Sequence, residues 1–247
     1  MFKKYIYVSA AFTFIIPYVA AGAWYLVSSC PAPCAEPRDL AAGGYYLVGD
    51  GATPQVLLIN PKTGSLYSNF PAPGGAGAGG ITTIPNEDTL YLSNNLTSWI
   101  YKITTTGSVL SSFLCPLPGP AGMYYGWPPR LEVTIPDLNV VAALDPKEGY
   151  LISAFRGPGL KPTSCFGDNW GLVGDAGTHT VYARIYRTPM ITGIEIPSGL
   201  FGYNYIKDTE AHMGLYVVDA ATKYIYNYED NAPVAPASLG RIKALFE

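Results

Sequence analysis

The sequence predicts an all-β fold, a five-bladed β-propeller closed by its C-terminal strand and preceded by one N-terminal transmembrane helix. Three observations carry this expectation. Apolar residues make up 49% of the 247 positions, while glycine (27), proline (22) and tyrosine (20) are abundant; that mix suits short strands joined by tight turns rather than a helical bundle. Similar turns recur about every 40–45 residues, the length of one four-stranded blade. Finally, Tyr5 to Val27 contains no charged residue, and about 20 apolar residues suffice for a helix to cross a bilayer.

The apolar segment comes first. Lys3 and Lys4 precede it, which places the N-terminus in the cytoplasm and everything beyond Cys30 on the periplasmic or extracellular side. Tyr5, Tyr7, Trp24 and Tyr25 stand near its two ends, where interfacial aromatics belong. Two alternatives to a retained anchor stay open. Ala21-Gly22-Ala23 fits the small-residue site of a cleaved secretory signal. Val27-Ser-Ser-Cys30 resembles the lipobox of bacterial lipoproteins, which makes Cys30 a lipidation candidate. Residues 1–29 are thus read as the anchor or lipoprotein signal. Residues 30–42 carry Pro31, Pro33 and Pro37 and read as an extended linker, leaving 43–247 for the propeller.

The repeats follow in order. Asn60-Pro-Lys-Thr-Gly64, Thr104-Thr-Thr-Gly107 and Asp145-Pro-Lys-Glu-Gly149 are polar turns ending in glycine between apolar strands. A second marker ends a short apolar run in Asp or Asn: Asp50, Asn94, Asp175 and Asp219. The first repeat supplies strands at 45–48, 56–59 and 65–69. The second runs through 81–84, 89–93, 99–104 and 109–114. The third has outer strands at 140–144 and 150–155, the fourth at 181–186 and 191–196, and the fifth at 215–218 and 224–228. The first repeat lacks an innermost strand, and residues 239–246 supply a spare one. The expected closure puts that C-terminal strand into the first blade, removing exposed sheet edges.

Leu90-Tyr-Leu-Ser-Asn-Asn-Leu-Thr-Ser-Trp-Ile-Tyr-Lys-Ile and Leu215-Tyr-Val-Val-Asp-Ala-Ala-Thr-Lys-Tyr-Ile-Tyr resemble the repeats of NHL, YncE-like and gluconolactonase-like propellers. The resemblance extends over 43–247 and concerns the fold, because propellers host lectins, scaffolds and hydrolases alike. It implies a possible ligand or calcium site at the quasi-symmetric set Asp50, Asn94, Asp175 and Asp219. The residues themselves also read as turn caps, their side chains bonding the local backbone; the third repeat breaks the set with Ile135-Pro136-Asp137.

Four cysteines beyond a membrane span suit disulfides. Cys115 and Cys165 form one candidate pair, Cys30 and Cys34 another. No nucleophile elbow, zinc-protease, Walker or dinucleotide motif occurs. The run Gly74–Gly80 lacks the lysine of a phosphate loop and reads as a flexible connection. His179 and His212 read as loop residues. Asn95-Leu-Thr97 is a glycosylation sequon. A net charge of −3 with no basic run beyond Lys3-Lys4 excludes a nucleic-acid footprint. The expected role is a non-catalytic scaffold or accessory subunit of a membrane protein complex, such as a bacterial respiratory or photosynthetic assembly. It needs no cofactor, calcium apart. The partners are the complex's integral subunits and the bilayer itself, contacted through 5–27. The alternatives are an extracytoplasmic metal-dependent hydrolase or lactonase, and a lectin-like adhesin.

Overall fold

The computed structural model describes residues 24–41, 46–50, 54–166, 172–183, 193–195, 200–209 and 212–230. Their strands form five four-stranded antiparallel sheets. The first contains β2 (Pro37–Ala41), β3 (Tyr46–Asp50), β4 (Gln55–Ile59) and β5 (Leu66–Pro71). The second contains β6 (Ala78–Thr83), β7 (Thr89–Asn94), β8 (Trp99–Thr104) and β9 (Val109–Leu114). The third contains β10 (Met123–Gly126), β11 (Arg130–Ile135), β12 (Val140–Leu144) and β13 (Leu151–Arg156). The fourth contains β14 (Pro162–Phe166), β15 (Leu172–Asp175), β16 (Thr180–Ala183) and β17 (Gly193–Glu195). The fifth joins β18 (Leu200–Thr209), β19 (His212–Asp219) and β20 (Tyr224–Asp230) to β1 (Trp24–Pro31), in the order β1-β20-β19-β18.

The first strands of the sheets are innermost. β2 touches β6, β6 touches β10, β10 touches β14, β14 touches β18, and β18 returns to β2. That cycle is the ring of a β-propeller. The outer strands of the first three sheets carry the least burial: β6 is buried over most of its length, whereas β5, β9 and β13 are mostly exposed. The apolar core lies between neighbouring sheets. Leu90, Leu92 and Ile103 pack with Val56 and Ile81, and Leu131, Val133 and Leu144 pack with Tyr91 and Ile100. The inner strands approach so closely that a Cβ on Gly80 would collide with the Ala121 carbonyl, and one on Gly122 with the Ser164 backbone. The second half of the glycine run is therefore inner-strand backbone, which corrects its reading as a flexible connection.

A repeat in the outer strands links the sheets. Leu66-Tyr-Ser-Asn-Phe70, Val109-Leu-Ser-Ser-Phe113 and Leu151-Ile-Ser-Ala-Phe155 occupy equivalent positions. Because sheets twist, the end of one outer strand reaches the turn between the last two strands of the next sheet. Phe70 packs over Gly107 and Phe113 over Gly149, and both glycines hold positive φ (89° and 74°). Leu26-Val-Ser-Ser-Cys30 of β1 repeats this pattern with cysteine in place of phenylalanine, and Cys30 with Pro31 lies over Gly64.

Several expectations are corrected here. Trp24 to Val27 belong to a strand, not to the end of a membrane helix; β1 pairs along β20 from Trp24↔Asp230 to Pro31↔Tyr224. The rest of the expected anchor, up to residue 23, lies outside the described residues; among the described residues no helix is long and apolar enough to cross a membrane. The lipobox segment coincides with the outer-strand repeat: Cys30 is buried and its thiol donates to the Pro61 carbonyl at 3.1 Å. The linker reading of 30–42 fails because Pro37–Ala41 is the innermost strand of the first sheet, with Leu40 and Ala41 fully buried. That strand fills the place expected for the C-terminal segment, and 239–247 lies outside the described residues. No disulfide forms among the four cysteines. Cys115 packs with Tyr91 and Ile100 and Cys165 with Val141 and Val173, in separate clusters.

Candidate functional site

The loops joining second to third strands, and those joining one sheet to the next, converge at one end of the ring, here called the mouth. The quasi-symmetric acidic set sits there, and its chemistry is local. Asn94 Oδ1 accepts the Leu96 and Thr97 N–H groups at 3.1 and 3.0 Å. Its Nδ2 donates to the Ala76 carbonyl at 2.9 Å. Asp175 Oδ1 accepts the Thr178 N–H and hydroxyl at 2.8 and 3.0 Å, and Oδ2 accepts the Lys161 N–H. Asp219 Oδ1 accepts the Ala221 and Thr222 N–H groups at 2.8 and 3.4 Å. All three side chains are buried.

Each turn carries threonine three positions after the Asx residue and a left-handed residue one further on: Ser98, His179 and Lys223, with φ of 60°, 54° and 61°. Tyr182 and Tyr226 donate their hydroxyls to Thr178 and Thr222. The Asx side chains thus tie each turn together, and two of them also clamp the preceding inter-sheet loop. This is the turn-cap role of Asx residues. Asp50 ends β3, but its side chain lies outside the described residues. In the third sheet Asp137 does not substitute. A short 3-10 turn at Pro136–Leu138 leads into Asn139 (φ 50°), whose Nδ2 donates to the Gly159 carbonyl at 2.8 Å. No group of three or more His, Cys, Asp or Glu among the described residues is placed to hold a metal ion. His179 is an exposed turn residue; the side chain of His212 lies outside the described residues.

The mouth encloses a cavity of about 260 Å³ whose lining includes Arg38, Asn95, Leu96, Asp137, Lys161 and Thr163. Arg38 pairs with Glu36 at 2.8 Å. Around the opening Leu96 is 72% exposed, Leu160 67% and Leu138 49%. These three leucines come from three different loops, so their exposure is a shared property of the mouth and not one stray side chain.

Next to Arg38 on β2 lies Asp39, buried where the inner strands of the first three sheets meet. Its Oδ1 accepts the Leu40 N–H at 2.9 Å. Its Oδ2 accepts N–H groups from two further inner strands, Ile81 at 2.8 Å and Met123 at 3.4 Å. Burial pushes its carboxyl well above the usual range, against the opposing pull of these donors. Burial likewise pushes up the Cys165 thiol, with Glu132 and Asp39 adding to the rise. Asp39 was missed in the sequence because it stood in a proline-rich segment read as linker. The available signal was the period: Ile81 and Met123, its two distant bonding partners, stand 42 and 84 residues further on.

No family model and no curated protein matches the chain. Among solved structures it is similar to a glutaminyl cyclase from Myxococcus xanthus, with TM-score 0.69 and 11% identity over 84% of this chain and 96% of that one. It is also similar to a catalytically inactive virginiamycin B lyase from Staphylococcus aureus with quinupristin (TM-score 0.51, 15% identity, 80% and 82% covered). A Bacteroides caccae protein of unknown function has TM-score 0.50 and 19% identity over 74% and 70%. The chain has a β-propeller fold. At these identities the propeller likeness is one of architecture and assigns no chemistry.

Proposed function

We propose that this chain is a non-catalytic, five-bladed propeller held on the extracytoplasmic side of a membrane, where it serves as an accessory subunit of a larger membrane protein complex. The observation that carries the reading is the contrast at the mouth. The polar side chains suited to metal or acid–base chemistry are engaged by their own turns, whereas three leucines stand exposed around the cavity. Exposed apolar clusters of this kind are what a partner protein covers. Five sheets whose inner strands touch in a closed cycle support the blade number. The anchor in this proposal is the apolar stretch 5–23, since β1 begins at Trp24. At 1.5 Å per residue a helix of that length spans about 28 Å, close to a hydrocarbon core of about 30 Å.

Gentle detergent extraction of the full chain should bring down stoichiometric partners, and L96D/L160D should lose them while remaining folded. A lone monodisperse chain overturns the reading. A second reading is an enzyme acting at the mouth, favoured by the juxtaposition of Lys161 and Asp137 in one cavity. Two structurally similar proteins, the glutaminyl cyclase and the lyase, are also enzymes by name. Its metal-dependent hydrolase form is weakened because Asn94, Asp175 and Asp219 already accept backbone donors. Hydrolase and lactonase substrates turned over by the chain and lost in K161A and D137A would establish the enzyme; no turnover with and without added divalent metal would remove it.

A further inference from the structure

We infer that the face opposite the mouth lies on the lipid bilayer, resting on the proposed anchor and adding to it an orientation. That face carries the turns between first and second strands and between third and fourth strands. Trp127, in the turn from β10 to β11, is 79% exposed, and Tyr150, in the turn from β12 to β13, is 59% exposed. The first residues of the outer strands continue the apolar surface around the ring. Leu66 and Tyr67, Val109 and Leu110, and Leu151 and Ile152 are all exposed. Tryptophan and tyrosine favour the headgroup region, with aliphatic side chains reaching below it.

The chain leading into the domain decides the occupant. β1 runs antiparallel to β20, so Trp24 stands beside Asp230 at the end away from the mouth, and Pro31 beside Tyr224 at the mouth end. The uncharged segment 5–23 therefore joins the domain on the same face as Trp127 and Tyr150. Leu26 and Val27, the first described side chains after the junction, are exposed at the positions equivalent to Val109 and Leu110. No linker separates the apolar segment from β1, so a membrane-embedded segment holds this face within reach of the headgroups. Of the charges on this side, Glu87 pairs with Lys102 at 3.1 Å and Arg130 with Glu132 at 2.8 Å, while Lys62, Lys147 and Glu148 lie in exposed turns, at the depth of the headgroups.

The test uses the full chain reconstituted into phosphatidylcholine vesicles, with brominated acyl chains as fluorescence quenchers. The chain should float with the vesicles, and its tryptophan emission should be quenched. W127F should lose a large share of that quenching. W99F should keep it, because Trp99 begins β8 at the mouth end. Trp24 and Trp170 are common to both variants and cancel in the comparison. If the chain floats but W99F loses as much quenching as W127F, or W127F loses none, the orientation is wrong while the anchor stands. Cross-linking of position 127 to a co-purifying protein in place of lipid quenching reassigns the face to a protein partner. A chain that does not float overturns both the anchor and the orientation.

Discussion

The two ends of the ring use the same turn chemistry at different depths. At the mouth, Asn94, Asp175 and Asp219 are buried and cap their turns, and Asn94 and Asp175 also clamp inter-sheet loops. At the opposite end Asn60 Oδ1 accepts the Lys62 N–H at 2.9 Å, and Asp145 Oδ1 accepts the Lys147 and Glu148 N–H groups at 2.9 and 2.7 Å, all in exposed turns. The backbone bonds lower the Asp145 carboxyl below its ordinary range. An exposed cap competes with water for the same donors, whereas a buried one has no replacement. Polar side chains at the mouth therefore secure the fold. At the opposite end stability lies more in glycine geometry and the phenylalanines above it, and the exposed apolar side chains are available for contact.

The largest expected effect is at the centre of the ring. Asp39→Ala strands N–H groups of three inner strands without an acceptor, and each buried unsatisfied donor costs about 1–3 kcal/mol. A loss of about 3 kcal/mol or more should appear in chemical denaturation. Its pH dependence has a definite sign. The folded carboxyl releases its proton at higher pH than the unfolded one, so the folded state binds the extra proton between the two values. The contribution is complete below the unfolded value of about 3.9, declines as pH rises and is gone above the raised folded value. Asp39→Asn should flatten this slope; an unchanged slope would show that another group titrates.

The next three substitutions set the ends against each other. Gly149→Ala forces a β-carbon into positive φ beneath Phe113 and should cost about 1–2 kcal/mol from the backbone alone, with the displaced ring adding to it. Asp175→Ala should cost about 2 kcal/mol, while Asn60→Ala should cost about 0.5 kcal/mol, following the difference between buried and exposed caps. Equal losses for Asp175→Ala and Asn60→Ala, read from urea midpoints at constant slope, would abolish the distinction between the ends.

What the sequence made readable was whatever repeats locally. The second repeat emerges as four strands within three residues of the expected bounds, because its turns are marked by Asn94 and Gly107. The turn-cap alternative for the Asx set was also visible, since the same residue type recurs at the same turn position. Closure was not readable in the same way. β1 pairs with β20 across nearly the whole chain, and its repeat was masked by two competing patterns, an apolar run and a lipobox. Only aligning Leu26-Val-Ser-Ser-Cys30 with Val109-Leu-Ser-Ser-Phe113 reveals it. β2 was hidden by Pro37, which suits the first position of a strand as well as a linker. The cavity was unreadable because Arg38 comes from the first sheet, Asp137 from the third and Lys161 from the loop leading into the fourth, and they meet only through the ring.

Cys30 offers a small effect on stability and the cleanest decision about how the N-terminal end meets the membrane. In β1 its thiol is buried, bonded to the Pro61 carbonyl, and pushed upward by burial, so it packs as a small apolar group rather than a reactive one. Cys30→Ser keeps a donor for Pro61 but is a poorer apolar filler, and should cost about 1 kcal/mol or less. Lipidation at this position would begin the mature chain at Cys30 and remove Trp24–Ser29, most of the strand that completes the fifth sheet. The variant should therefore float with membranes as the natural chain does, and intact-mass measurement of the natural protein should show no acyl adduct on Cys30. Loss of flotation in Cys30→Ser, with the fold intact by circular dichroism, would restore the lipoprotein reading and require the ring to close without β1. A mass beginning at Trp24 would instead indicate cleavage after Ala23, leaving β1 whole and removing the anchor.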